Sequence, residues 1–218
     1  MRDHTTKSSD YQVGEELVRQ GEDILYRAVR REDRRSVLLK TYAAPDGSDQ
    51  ASDRLTREHR LLQSLPRDLV LPVLGIELVK GRTALVFDDP GGYFLASRLG
   101  ANAIDLPAFL ESALGMAETL AEIHRAGVVH RSIQPASIYT DPLTRKVRLA
   151  GFGSATDLPR TSQRVAPATI GDLSLAYLAP EQTGRMNRAV DRRTDLYSLG
   201  VVFYRLITGR LPFESDDA

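Results

Sequence analysis

Residues 194–210, TDLYSLGVVFYRLITGR, constrain this chain more than any other stretch. From Leu196 to Ile207 the segment is apolar nearly all round at helical spacing. Such a helix has no polar face to give to water and belongs in the centre of a domain. The expectation is a fold whose later part gathers around this one helix.

The chain before it has two textures. The first ten residues are polar and predict a flexible tail. Between Tyr11 and about Asp89, DILYRAVR, SVLLKTYA and TALVFDD are rich in β-branched and aromatic residues at strand length. Among them SDRLTREHRLLQSL places Leu55, His59 and Leu62 on one stripe of an amphipathic helix. Ser52 or Asp53 is expected to cap its start, and Pro66 to follow its end. DDPGG at 88–92 predicts a turn or hinge. Beyond it the pattern is helical: Asp105 is the expected cap, Pro107 sits in the first turn, and Gly127 is the stop. Leu110, Leu114, Ala117, Ala121 and His124 form its expected buried stripe, widened by Leu120 and Ile123.

These textures predict an α+β chain in two lobes. Residues 11–88 form a β-rich lobe with one helix, 89–92 a hinge, and 93–218 a mostly helical lobe.

Composition removes several functions. Lys+Arg and Asp+Glu both total 29, so no basic surplus calls for nucleic acid or an anionic membrane. No apolar run reaches the ~20 residues of a membrane-spanning helix, and the N-terminal residues lack the apolar core of a signal peptide. With no cysteine, thiol nucleophiles and thiolate metal sites are excluded. His4, His59 and His124 have no metal-ligand spacing, and GFGSA is not the GxSxG elbow of a serine hydrolase. A cytoplasmic location is the expectation.

Several short motifs fall in an order and spacing that resembles the protein kinase fold, from about residue 12 to 216. Lys40 in VLLK is similar to the lysine that holds the α- and β-phosphates of ATP, and Glu58 in TREHRLL to its helix partner. VVHRSIQPASI matches the catalytic-loop frame, GFG (151–153) the metal-binding tripeptide, and APE (179–181) the end of the activation segment. DLYSLG (195–200) resembles the start of the central helix, whose aspartate, here Asp195, holds the catalytic loop. The resemblance gives structural roles to His130, Arg131, Phe152, Gly153, Glu181 and Asp195. It also places His130, Phe152 and Leu62, with Leu74 or Ile76, in a hydrophobic stack. AYLAPEQTGRMNRAVDRRTDLYSLG resembles the kinase-like domain that opens certain large bacterial sensor proteins, which carry ATPase, GAF and histidine kinase regions further on. Kinases of this fold continue past the central helix, so the resemblance implies a C-terminal lobe truncated after it. Glu181 is then expected to lack its usual arginine partner.

The polar chemistry departs from the family. Where kinases carry a catalytic aspartate, a metal-binding asparagine and a metal-binding aspartate, this chain has Ser132, Ser137 and Gly151. A serine hydroxyl is a poor magnesium ligand and glycine offers no side chain. A positioned general base contributes about 10²–10⁴ in rate. Aligning Leu25 to the last residue of the glycine-rich loop puts Val18, Gln20 and Asp23 on its three glycine positions, with only Gly21 left, one place off. Asp23 also adds charge of the ligand's own sign. Leu38 replaces a small residue over the adenine ring, and Pro90 removes a hinge N–H donor.

Lys40, Glu58, Leu25, Leu38 and Asp88 thus outline a vestigial nucleotide pocket that takes ATP weakly at most, without magnesium or other metal. The expected function is a catalytically impaired, pseudokinase-type module. Its expected partners are other protein domains, C-terminal to it in the same chain, with no nucleic acid or membrane. Two alternatives stay open. One is a divergent active Ser/Thr kinase, with Ser174 near the threonine typical of that class and Asp141 or Asp157 replacing the lost carboxylates. The other is a metal-independent weak nucleotide sensor. Thr161, Ser162 and Thr169 lie in the activation segment, which is expected to be an exposed polar loop.

Overall fold

A computed structural model describes residues 10–42, 49–100, 103–157, 175–183 and 188–213. The chain divides into two compact units, 1–91 and 92–218. The fold is α+β, with the sheet early and the long helices late.

The first unit is a five-stranded antiparallel sheet. Its strands are β1 (Tyr11–Gln20), β2 (Asp23–Arg30), β3 (Ser36–Tyr42), β4 (Val73–Val79) and β5 (Arg82–Asp88), in the order β1-β2-β3-β5-β4. Period-2 alternation sorts the side chains. Ala28, Val37, Leu39, Ala84 and Val86 meet Tyr11 and Val79 on one face as a buried cluster. The other face carries Leu25, Leu38, Lys40, Leu85 and Phe87 at paired positions. The first strand was hidden in the sequence because its exposed charged residues and Gly14 blur the alternation. A Cβ at Gly14 would lie 3.1 Å from the Arg27 carbonyl, and the register slips next to it between Val13 and Glu16. Gln20 pairs with Asp23, so the β1–β2 turn is only Gly21–Glu22, with Gly21 at φ 59°. Glycine first in a two-residue turn is the usual II′ arrangement.

Helix α1 (Asp49–Ser64) packs on β4 and β5. It begins before Ser52 and Asp53, which therefore lie inside the helix and are not its cap. Periodicity identified the helix face but not its start, since Asp, Gln, Ala and Ser are all tolerated in a first turn. Its buried residues are Leu55, Glu58 and Leu62, with His59 only half-buried.

Asp89 closes the unit. Its carboxylate accepts from Arg27 Nε (2.8 Å), the Ser36 hydroxyl (2.9 Å) and the Gly91 N–H (3.0 Å). Burial alone would raise its pKa, but the Gly91 N–H, the Ser36 hydroxyl and Arg27 outweigh it and hold it below the ordinary carboxylate value. A depressed carboxylate contributes stability that is present above its unfolded pKa of about 4 and lost as pH falls through the lower folded value. The stability difference between wild type and Asp89→Asn is therefore expected to be widest near neutral pH and to shrink below about pH 4. Urea melts of both proteins at a series of pH values measure it; a difference that does not change with pH would remove Asp89 from the acid response.

In the second unit α2 (Leu106–Arg125) starts where expected, with Asp105 accepting from Ala108 N at 2.9 Å and Pro107 in the first turn. Gly127, at φ 84°, follows its end. The buried face differs from the expected stripe. Phe109, Met116, Leu120, Ile123 and His124 are buried, whereas Leu106, Leu110 and Leu114 are 64%, 57% and 60% exposed, and Ala117 and Ala121 are exposed too. The helix carries apolar residues on two faces, and periodicity does not say which one meets a partner. The other long helix, α3 (Arg192–Thr208), is capped by Asp191 and closed by Gly209 at φ 72°. It packs on α2, with Phe109 and Phe203 edge to face at 5.7 Å. Its burial is one-sided: Leu199, Val201, Val202 and Leu206 are buried, but Leu196, Tyr204 and Ile207 are 55%, 45% and 48% exposed. The all-round burial expected for this helix is thus not reached among the described residues.

Short strands frame two loops. They are β6 (Tyr93–Phe94), β7 (Val128–Val129), β8 (Ile138–Thr140), β9 (Val147–Leu149) and β10 (Thr156–Asp157). They pair as β6-β8-β9 and as β7 with β10. Loop 130–137 runs from β7 to β8 and loop 150–155 from β9 to β10, so both loops are held at their two ends. Gly92 has no room for a side chain, because a Cβ there would lie 2.3 Å from the Thr140 carbonyl oxygen. No helix among the described residues is long and apolar enough to cross a membrane.

Candidate functional site

Lys40 is the centre of the site in the first unit. It lies on β3 opposite Leu25 of β2 and Leu85 of β5. Its ammonium donates to Glu58 Oε2 of α1 at 2.6 Å and pairs with Asp23 Oδ2 at 2.8 Å. All three side chains are buried. Burial alone would lower the Lys40 pKa; Glu58 and Asp23 outweigh it and raise it above the ordinary lysine value. Arg54, one turn before Glu58 on α1, approaches Asp23 at 3.6 Å, donates to the Tyr42 hydroxyl at 2.7 Å and stacks over its ring.

The other residues expected around Lys40 divide between the two faces of the sheet. Leu38 is fully buried, between Arg27 and Phe87 on the neighbouring strands, and Leu25 shares its face. Asp88 falls on the opposite face by alternation, and its carboxylate pairs with Arg35 at 2.9 Å.

The second unit holds the loop constellation, organised by Asp195 in the first turn of α3. The fully buried carboxylate accepts the Arg131 N–H on Oδ1 at 2.6 Å. Its Oδ2 accepts the His130 N–H at 2.8 Å and His124 Nε2 at 2.8 Å. These bonds anchor a backbone in which Arg131 takes φ 64°, a left-handed conformation costly for a residue with a side chain. The same turn is held from the other side by Gln182, whose amide donates to the Arg131 carbonyl at 2.8 Å and accepts from Ala179 N at 3.2 Å. Burial lowers the Arg131 guanidinium pKa, with Asp195 opposing it.

His130 is a structural residue in this geometry. Its Nδ1 accepts the Ser132 N–H at 3.2 Å and is therefore unprotonated. Nε2 then carries the proton and donates to the Ala150 carbonyl at 2.9 Å, a neutral ring with both nitrogens used. The ring meets Phe152 edge on at 4.5 Å. Phe152, buried, starts the short turn Phe152–Ser154 that contains Gly153, and Gly151 before it stands at φ 79°.

Ser137 is fully buried and closed on its own loop. Its hydroxyl donates to the Gln134 carbonyl at 2.9 Å and accepts from Gln134 N at 3.0 Å. Ser132 lines a small cleft with Gln134, Tyr177, Leu178 and Ser198. Glu181 was expected to lack a partner; it accepts the Thr194 hydroxyl at 2.6 Å. Thr194 sits beside Asp195 in the first turn of α3, so a local hydroxyl supplies the partner that was expected to be missing. Asp141 turns its carboxylate to the N–H groups of Leu143 and Thr144 in the β8–β9 turn, at 2.8 and 3.1 Å, an ordinary turn role. Thr161, Ser162, Thr169 and Ser174 lie outside the described residues, as does the Asp157 side chain.

Sequence reasoning missed three contributors. The sequence shows Asp23 as a charge of the ligand's own sign but not as a partner of Lys40. His124 and Gln182 were not recognised as props of the loop. Of the three, His124 alone had a signal, its place on the expected stripe of α2.

Comparison with known proteins points one way. A family model described as "Protein kinase domain" matches residues 16–218. The chain is 30% identical over 204 residues to the peroxide stress-activated histidine kinase mak2 of Schizosaccharomyces pombe, covering 87% of this chain and 8% of that protein. It is 31% identical over 226 residues to the probable serine/threonine-protein kinase SCO3848 of Streptomyces coelicolor, covering 94% and 31%. It is 32% identical over 222 residues to the serine/threonine-protein kinase PknL of Mycobacterium bovis, covering 96% and 52%. The chain therefore spans from 8% to about half of the length of these relatives.

Proposed function

The chain belongs to the protein kinase domain family, and from that premise we propose that it is a kinase-like signalling module that does not transfer phosphate. The observation that carries this reading is the state of the loop chemistry. Phosphoryl transfer asks a protein for a carboxylate to accept the hydroxyl proton, and for ligands to the metal ions on the phosphates. At the family's three positions stand Ser132, Ser137 and Gly151. The Ser137 hydroxyl has its proton and one lone pair engaged with Gln134, and Gly151 has nothing to offer. These residues do not fit a magnesium ion, which demands near-ideal octahedral oxygen ligands.

The scaffold around the missing chemistry is intact. Asp195, His130, Gln182 and Phe152 hold the two loops through buried hydrogen bonds and a ring contact. A fold kept while its reactive groups are gone suits a module that acts by contact. Its partners on this reading are protein domains, and its setting is cytoplasmic. The small fraction of the Schizosaccharomyces pombe histidine kinase that the chain matches supports a place within a longer signalling protein. ATP binds weakly at most, without magnesium.

The Lys40–Glu58 pair at 2.6 Å favours a second reading, a divergent active Ser/Thr kinase. Incubation with radiolabelled ATP and either magnesium or manganese separates the two. The expected result is no label on the chain or on generic protein substrates above the protein-free background. Label that scales with protein concentration and vanishes in Lys40→Ala would establish the active kinase instead.

A further inference from the structure

Lys40 is surrounded by more negative charge than one ion pair requires. Its ammonium lies 2.6 Å from Glu58 and 2.8 Å from Asp23, with the three side chains 6%, 1% and 10% exposed. The second oxygens, Asp23 Oδ1 and Glu58 Oε1, are also buried and have no hydrogen-bond partner among the described residues. The local surplus is of acceptors, the reverse of what an incoming anion needs. Arg54 balances the charge from 3.6 Å but spends an N–H on Tyr42.

Asp23 has a fixed backbone. It is the first residue of β2, paired with Gln20 across a two-residue turn and with Tyr42 on β3. A phosphate reaching Lys40 would have to displace it, or remain within a few ångströms of a buried like charge.

We propose that Asp23 is a built-in occupant of Lys40, a carboxylate that holds this lysine where the kinase resemblance places a nucleotide phosphate. The Lys40–Glu58 arrangement is then maintained without ligand, and polyphosphates are kept out. The inference rests on the non-transferring reading in that both concern the same lysine, but it is judged by binding rather than by transfer.

The test is calorimetric titration of the 218-residue chain with inorganic tripolyphosphate in magnesium-free buffer, for wild type, Asp23→Asn and Asp23→Ala. Wild type is expected to give no saturable heat at millimolar ligand. Both variants are expected to bind at least about tenfold more tightly than the wild-type limit, and to lose that binding when Lys40→Met is added. The proposal is overturned if variants that melt as cooperatively as wild type bind no better than it does. It is equally overturned if wild type itself binds tripolyphosphate in a Lys40-dependent way. Should both single variants fail to melt cooperatively, Asp23→Asn is made on a Lys40→Met background. A melt matching that of Lys40→Met alone then supports the pairing, and continued failure overturns it. Phosphate transfer by the wild-type chain would remove the non-transferring reading and leave Asp23 to the binding result.

Discussion

Asp195→Ala is expected to cost about 3–5 kcal/mol, the range for breaking a buried charged network by removing one partner. The carboxylate is fully buried and receives the His130 N–H, the Arg131 N–H and His124 Nε2. Removing it leaves three buried donors without an acceptor, each a penalty of about 1–3 kcal/mol before relaxation. It also releases the left-handed backbone at Arg131. Against a total stability of about 5–15 kcal/mol, the loss is a large fraction. With an m-value of about 1–3 kcal/mol/M, the urea midpoint should fall by about 1 M or more. Asp195→Asn serves as the control: it keeps the shape and one acceptor, but turns an NH₂ toward the other donors, so it should be destabilised too. A midpoint unchanged in Asp195→Ala would mean that the loop is held by Gln182 and the flanking strands alone.

Phe152→Ala is the second large effect, about 3–5 kcal/mol, as for other deletions of a buried aromatic ring. The side chain is 2% exposed and sits against His130 at 4.5 Å. Its removal opens a cavity beside a histidine whose two nitrogens are fixed by Ser132 N and the Ala150 carbonyl. Close-packed surroundings anchored this way collapse little, which keeps the cost high. Phe152→Leu, retaining most of the volume, should recover a large part of it. A loss below about 1 kcal/mol on Phe152→Ala, in a urea melt with unchanged m-value, would show that the ring is not part of the core.

The local signals that were legible share one property: they depend on neighbours in sequence. β-branched runs marked β2, β3 and β5, and Asp105 with Gly127 bounded α2 nearly to the residue. The resemblance of the short motifs to the kinase family marks Lys40, Glu58, His130 and Asp195. What it could not supply was the other partner of each bond. Glu58 pairs with Lys40 by resemblance, but Asp23 joins them only because the β2–β3 register sets Leu25 opposite Lys40 and Asp23 opposite Tyr42, beside that lysine. Glu181 was expected to stand alone and meets Thr194, because α3 begins early enough to bring that hydroxyl beside it.

By itself the sequence determined the α+β order, the neutral charge balance, the absence of thiol chemistry and the serine and glycine residues at the family's reactive positions. Those are properties of residue identity and short-range periodicity, and no packing can alter them. Which face of a helix is buried, and which charge neutralises which, were decided only by tertiary structure. Leu110 and Leu114 look as apolar as Met116 and Leu120, yet α2 buries the second pair and exposes the first. Burial depends on which surface arrives opposite, and ion pairing on register and distance, and both of these are set by residues far away along the chain.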